Sequence, residues 1–218
     1  MTIDALFREV FPAGVQVAWG EIGDATAELL PDEAPLVARA VSKRQREFAR
    51  GRCCARRALA GLGFDRVSVL VGENREPLWP EGVVGSITHD NTLCVVAVGH
   101  AAEYAGLGVD LEPEGALSPE IAERIWSPAE AERAEDVATF TAGSAARLVF
   151  SAKEAFYKCQ FPLTRTYLGF HDVEVALGLE TFALTLKTAA GPWPSGMRFD
   201  GVWRRAGGEI LTAVVLGR

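Results

Sequence analysis

Cysteine, histidine and long apolar runs are all scarce in this chain, and each scarcity closes off a class of function. The four cysteines, Cys53, Cys54, Cys94 and Cys159, show no CxxC or metal-finger spacing. Adjacent Cys53 and Cys54 are poor partners for each other, so reduced thiols in the cytosol are expected. The three histidines are scattered and no GxSxG elbow accompanies them, which leaves no covalent nucleophile with its base. No GxGxxG or Walker loop is present, since Gly61/Gly63 and Gly106/Gly108 lack the required context. The longest apolar stretch, Leu93–Gly99, is far too short to span a bilayer. Asp4, Arg8 and Glu9 break any secretory apolar region near the start. A basic excess is missing as well, because the net charge of −7 argues against a general nucleic-acid binder. A cytoplasmic protein with neither membrane nor nucleic acid as partner is the expectation.

What is present is ample for a core. At 218 residues and 49% hydrophobic content the chain makes one large domain or two small lobes. The patterning predicts a short helix near Asp4–Phe11, a strand at Val15–Trp19 and a long helix from Pro35 to Leu62 ending at Gly63. Strands follow at Arg66–Val71, Val83–Thr88, Leu93–Val98 and Leu107–Leu111. Trp126–Glu130 reads as a cap leading into a short helix with proline first. A second long helix spans Ala145 to Gln160 and stops before Pro162. Four strands close the chain, at Val173–Leu177, Phe182–Lys187, Met197–Trp203 and Ile210–Leu216. Helix followed by strands, twice over, implies an α+β fold of two similar pseudo-symmetric lobes, divided as residues 1–106 and 107–218.

The most informative segment is Leu107–Glu112. Leu107, Val109 and Leu111 fall on one side of an extended strand, and Gly108, Asp110 and Glu112 on the other. Two carboxylates on one strand face resist joint ionisation unless a cation sits between them. A third, Glu154, lies between Lys153 and Lys158 on the second long helix. Hard oxygen ligands with lysines nearby suit a Mg²⁺ that grips a phosphate, because Mg²⁺ takes few carboxylates and fills its shell with water and substrate oxygens. The plainer reading of Glu154 and Lys158 is a surface i,i+4 pair. That helix is apolar on two sides, however, which places Glu154 in an interface or cleft.

The first long helix carries eight basic residues between Arg39 and Arg57 and one acid, Glu47. At about 100° per residue, Arg39, Lys43, Arg46, Arg50 and Arg57 form one stripe, either solvated or docking an acidic partner. Val41, Phe48, Ala55, Leu59 and Leu62 form the opposite, core-facing stripe. Arg44 falls inside that apolar sector and Arg52 at its margin. A buried guanidinium needs an anion, either an internal carboxylate or a phosphate-rich ligand. The segment Val84–His89 ends a strand with Ser86, Thr88 and His89, and the rigid loop Asn74–Pro77 adds one more cation, Arg75.

Together these pieces resemble the 4′-phosphopantetheinyl transferases, in the larger two-lobed class that serves siderophore, nonribosomal-peptide and polyketide carrier proteins. The resemblance rests on Gly108-Val-Asp110-Leu-Glu112 followed by Phe150-Ser-Ala-Lys153-Glu154-Ala-Phe-Tyr-Lys158, with Ser86–His89 and Phe161–Leu163 matching the enterobactin-type and actinobacterial branch. It covers roughly Lys43 to Leu168. It implies a fold with the active site between the lobes, usually in a monomer. The reaction implied moves the 4′-phosphopantetheine arm of coenzyme A onto a serine of an apo acyl or peptidyl carrier protein, releasing adenosine 3′,5′-bisphosphate. By resemblance, Asp110, Glu112 and Glu154 hold Mg²⁺ (or Mn²⁺), and Glu154 or Glu112 is the general base. Lys153 neutralises phosphate charge and Lys158 stands beside the coenzyme. Thr88 and His89 contact the nucleotide, Arg44 and Arg52 grip its phosphates, Asn74 and Arg75 line its loop, and Tyr167 lines the pantetheine channel. Two other readings are a Mg²⁺-dependent nucleotide pyrophosphate hydrolase and a coenzyme A-binding protein without activity.

Overall fold

The computed structural model describes residues 3–135 and 141–218. In chain order the elements are α1 (Ile3–Val10), β1 (Gln16–Glu21), α2 (Ala34–Val37), α3 (Ser42–Gly61), β2 (Leu70–Val71), β3 (Pro77–Leu78), β4 (Val83–His89), β5 (Leu93–His100) and β6 (Tyr104–Pro113). There follow α4 (Pro119–Ile125), α5 (Pro128–Glu135), α6 (Ala142–Thr164), β7 (Val173–Leu177), β8 (Thr181–Leu186), β9 (Arg198–Ala206) and β10 (Glu209–Gly217). This is an α+β fold, as expected. Among the described residues every hydrogen-bonded strand ladder is antiparallel, in a three-stranded sheet of order β1-β5-β4, a five-stranded sheet of order β6-β10-β9-β8-β7 and a β2-β3 ribbon.

Each long helix covers one sheet. Cys54, Ala55, Ala58 and Leu59 of α3 pack on Ala18, Cys94, Val96 and Val98. Leu148, Val149, Ala152, Phe156 and Cys159 of α6 pack on Val175, Leu184, Phe199 and Val214. A third apolar cluster joins the two sheets: Leu6, Phe7 and Val10 of α1 close over Val95 and Ala97 of β5 and over Leu107, Val109 and Leu111 of β6. The alternation read in β6 therefore holds, with its apolar side on this cluster.

The other side of β6 faces α6 at close range. A Cβ on Gly108 would fall inside the carbonyl oxygen of Ala155, and one on Gly106 would sit 2.9 Å from the carbonyl oxygen of Cys159. Only glycine lets the helix backbone lie directly on the strand. That contact brings Glu154 and Lys158 over Asp110.

The two sheets meet where β4 runs beside β6. No backbone ladder joins them. Instead Ser86 Oγ accepts from Val109 N–H at 3.1 Å and Thr88 Oγ1 accepts from Leu111 N–H at 3.3 Å. The matching two-residue steps make the strands parallel, and the hydroxyls satisfy edge donors that would otherwise be buried and unpaired.

Several expectations are corrected. The first long helix is two: α2 ends at Val37, Val41 turns extended, and α3 begins at Ser42. Val41 is therefore 74% exposed rather than core-facing, and the carbonyl of Val37 accepts from Ala40 N–H at 2.9 Å and from Gln45 Nε2 at 3.2 Å. The strand expected at Arg66–Val71 shrinks to Leu70–Val71, because Arg66 adopts a positive φ of 49° and Val69 N–H goes to the buried carboxylate of Glu33. Helix α6 runs through Pro162 to Thr164 and ends at Arg165 with φ 52°. A proline so close to the end removes a single helical hydrogen bond, and Arg165 N–H still reaches the carbonyl of Phe161. The cap at Ser127 is as read: Ser127 Oγ accepts from Glu130 N–H and Glu130 Oε2 accepts from Ser127 N–H.

Candidate active site

Asp110 is buried on β6 at the seam, and its two oxygens differ. Oδ1 accepts from Lys158 Nζ at 2.6 Å and from the Thr88 hydroxyl at 3.0 Å, whereas Oδ2 is buried with no partner. Lys158 also donates to Thr88 Oγ1 at 3.1 Å and to the carbonyl of Val109 at 3.3 Å. A buried carboxylate oxygen without a donor is costly, and a cation removes that cost.

Glu112, two residues further along the same strand face, is half-buried. Its Oε2 accepts from Arg147 Nη1 at 2.8 Å. Burial foremost, and then the charge of Asp110, push its carboxyl above the ordinary range, against the pull of Arg147 and Lys158. Glu154 on α6 is raised too, by burial and by Asp110, with Lys158 opposing. The three expected carboxylates thus crowd one another electrostatically. They do not converge: among the described residues no three acidic, histidine or cysteine side chains lie close enough together to hold a metal ion. The donor chemistry nevertheless fits a hard divalent cation, with one orphaned oxygen on Asp110 and two carboxyls that its charge disfavours.

Above this cluster lie two depressions that share Arg75, Pro77 and Ile87. One, of about 420 Å³, is lined by Arg44, Arg52, Arg75, His89 and Glu47. Arg52 is buried over the ring of Phe48 at 4.0 Å, gives one hydrogen bond to the carbonyl of Leu70, and leaves its Nε without a partner. Burial pulls its pKa down to about 10. No carboxylate hydrogen-bonds to Arg52 among the described residues, and the buried Glu33 acts on it through its charge alone, so its unpartnered Nε suits an anion from outside. Arg44 keeps the angle of the apolar sector but stands in the first turn of α3, where that stripe has run past the packed core. Its side chain is 49% exposed and lies 3.4 Å from Glu47. Arg44 Nη1 also sits 3.1 Å from His89 Nε2. The guanidinium can only donate, so His89 accepts at Nε2 and keeps its hydrogen on Nδ1, facing the carbonyl of Asp90. Burial also pushes the His89 pKa down, against the pull of Glu47, which agrees with a neutral ring.

The second depression, of about 330 Å³, runs from Asn74–Pro77 past Trp79 and Leu107 to Glu154, Tyr157 and Lys158. A smaller one of about 150 Å³ adjoins it around Glu154, Tyr157, Tyr167 and Phe170. Tyr167 is 78% exposed and meets Tyr157 edge-on, with centroids 5.9 Å apart. Arg75 stands at a positive φ of 68° in the tight turn between β2 and β3, and Asn74 N–H is held by Glu76 Oε2 at 3.0 Å.

Two expected residues land differently. Lys153 does not join the carboxylates. It is buried, and its ammonium is bound by Glu130 at 2.8 Å and by the carbonyls of Ile125 at 2.8 Å and Phe170 at 2.7 Å. Those three acceptors use all its hydrogens. Thr88 is equally occupied, at 4% exposure. Sequence reasoning missed Arg147, Glu130 and the pairing of Glu47 with Arg44 and His89. Arg147 had a signal, as a single cation among Ala145, Ala146, Leu148 and Val149. Glu130 had one as well, since it lies three residues after the capping Ser127.

Comparison with known proteins agrees with this picture. The model described as 4′-phosphopantetheinyl transferase N-terminal domain matches residues 32–99, and that of the 4′-phosphopantetheinyl transferase superfamily matches residues 106–196. The 4′-phosphopantetheinyl transferase PptT of Mycobacterium tuberculosis is 38% identical over 99% of this chain and 100% of its own length. The corresponding transferase Npt of Nocardia iowensis is 37% identical over 96% and 99%. Enterobactin synthase component D of Escherichia coli is 34% identical over 61% of this chain and 62% of its own.

Proposed function

The chain belongs to the 4′-phosphopantetheinyl transferase superfamily, and on that premise we propose that it moves the 4′-phosphopantetheine arm of coenzyme A onto a serine of an apo acyl or peptidyl carrier protein. It does so as a cytoplasmic monomer of two related lobes that meet at the β4–β6 seam, with neither nucleic acid nor membrane as partner. The observation that carries this reading is the Asp110–Lys158 contact at 2.6 Å. It brings both sequence motifs together beneath a depression lined by Arg44, Arg52, Arg75 and His89.

The chemistry is substitution at the β-phosphate. The serine oxygen bonds to phosphorus, the bond to the bridging oxygen breaks, and adenosine 3′,5′-bisphosphate leaves. Little covalent work falls to the protein, so positioning and charge neutralisation supply most of the barrier lowering. Arg52, with its unpaired Nε, and Arg44 bind the nucleotide phosphates, and neutral His89, accepting from Arg44 at Nε2, orients that guanidinium beside the nucleotide. Asp110, through Oδ2, with Glu112 and Glu154, would hold Mg²⁺ or Mn²⁺, which supplies neutralisation of the pyrophosphate. Glu154, whose carboxyl burial holds above the ordinary range, takes the serine proton, and Glu112 is the other candidate. Tyr157 and Tyr167 flank the arm.

The test is intact-protein mass spectrometry of apo carrier proteins incubated with this protein, coenzyme A and Mg²⁺, beside a Glu154→Gln control. A gain of one phosphopantetheine arm, lost in the control, is expected. Cleavage of coenzyme A with no gain on any carrier would point to a hydrolase instead.

A further inference from the structure

The hydroxyl of Thr88 has one hydrogen and two lone pairs, and the structure uses all three. It donates to Asp110 Oδ1 at 3.0 Å, and it accepts from Leu111 N–H at 3.3 Å and from Lys158 Nζ at 3.1 Å. Nothing is left with which to bind a nucleotide, and at 4% exposure the side chain meets no solvent-filled space of consequence. Every partner lies on the other sheet or on the helix that covers it. All of the polar bonding to Asp110 falls on Oδ1, and Oδ2 alone is left bare.

We propose that Thr88 is a positioning residue that clamps Asp110 by Oδ1 across the seam and thereby fixes Oδ2 as the ligand atom offered to the divalent cation. This inference rests on the reading of Asp110 as a metal ligand. A carboxylate on a free χ2 rotor presents either oxygen in many directions, whereas one pinned through a single oxygen presents the other in one. Lys158 contributes to the clamp, but its long side chain does not fix a plane by itself. Thr88 sits on a strand, is β-branched and is held at its own hydroxyl by the Leu111 amide, so it is rigid at both ends. Ser86 offers the contrast: it makes the same kind of bond to the same strand, to Val109 N–H, without touching Asp110.

The experiment measures Mn²⁺ affinity by electron paramagnetic resonance of the free ion, without coenzyme A, for the parent chain, Thr88→Val, Thr88→Ser and Ser86→Ala. Valine preserves the shape and removes the hydroxyl, and circular dichroism reports whether each variant is folded. Calorimetry measures coenzyme A affinity in a chelator, free of metal. Thr88→Val should weaken Mn²⁺ binding roughly tenfold, the worth of one hydrogen bond to a charged group. Thr88→Ser should restore it and Ser86→Ala should leave it near the parent. Metal-free coenzyme A affinity should stay level across the series, and steady-state transfer by Thr88→Val should fall in kcat rather than rise in KM for coenzyme A. Four results would overturn the proposal: no Mn²⁺ binding by the parent, unchanged Mn²⁺ affinity in Thr88→Val, an equal loss in Ser86→Ala, or a fall in metal-free coenzyme A affinity in Thr88→Val. Failure of the parent chain to modify any carrier protein would count against the proposed function and would leave the Mn²⁺ comparison standing.

Discussion

Arg147 reaches from α6 to the end of β6, donating to Glu112 Oε2 at 2.8 Å while its Nε donates to the carbonyl of Gly115 at 2.9 Å. It is the counter-charge for a carboxylate that shares a strand face with Asp110. Arg147→Gln leaves Glu112 without it, so the metal-free protein should lose roughly 1–3 kcal/mol of stability. A cation that binds only the folded chain then restores more than it does in the parent. Thermal melts with chelator and with saturating Mg²⁺ should show a larger Mg²⁺-induced rise in the variant. Equal rises in both proteins would mean that Glu112 takes no part in holding the cation.

Lys153 is a motif residue by sequence and a core residue by structure. Its ammonium is enclosed with Glu130, whose carboxylate also accepts from Val175 N–H at 2.7 Å. Burial pushes the lysine pKa down and the Glu130 charge opposes that fall. Removing one member of a buried pair strands the other, so Lys153→Met should cost roughly 3–5 kcal/mol in urea unfolding. Adding Glu130→Gln should recover part of it. Transfer normalised to folded protein should survive in the double variant. Complete loss of transfer in folded protein would return Lys153 to the active site.

The contrast between Lys153 and Asp110 shows what the sequence made legible. The alternation of Leu107, Val109 and Leu111 against Gly108, Asp110 and Glu112 is a period-two signal carried by adjacent residues, and β6 follows it. The same holds for the cap at Ser127. Partner choice is not local. Lys153 meets Glu130, Thr88 meets Asp110 and Arg147 meets Glu112 across separations of 23, 22 and 35 residues. No periodicity records such pairings, which is why Lys153 read as a phosphate contact and Thr88 as a nucleotide contact. Helix ends failed for a different reason. Proline in the last turn forfeits one hydrogen bond and aromatic packing outweighs it, with the rings of Tyr157 and Phe161 stacked at 5.4 Å. Arg52 was legible as an anomaly of angle. Arg44 shares that angle, but it stands in the first turn of α3, so its side chain is half-exposed beside Glu47 instead of buried.

The β2–β3 ribbon, which carries Asn74 to one depression and Arg75 to both, pairs with neither large sheet among the described residues. Arg165, just beyond the end of α6, forms an ion pair with Glu76 of that ribbon. Exposed pairs add little stability, so Arg165→Ala should scarcely move the melting temperature. It should raise KM for coenzyme A several-fold with kcat preserved, since the ribbon then orders only on binding. A drop in kcat at unchanged KM would place Arg165 in the chemistry instead.

Glu209, at the start of β10, lies within electrostatic reach of Asp90 in the β4–β5 turn. Asp90 Oδ1 is occupied within its own turn, accepting from the backbone N–H groups of Thr92 and Leu93 at 2.7 and 2.6 Å. Burial, then Asp90, then Glu112 push the Glu209 carboxyl up to about 7, and its Oε2 is buried without a hydrogen-bond partner. Its folded pKa lies above its unfolded one, so the folded chain binds the extra proton between the ordinary glutamate value of 4.5 and about 7. Stability from this group is full below that window, declines as pH rises through it and is flat above. Glu209→Gln keeps a neutral side chain at every pH. The variant should melt higher than the parent at pH values above the window, and its melting temperature should fall less across the window. Glu112 and Glu154 are raised as well and tilt both curves the same way, so the decisive quantity is the difference between them. Parallel curves would show that Glu209 carries no proton in the folded chain.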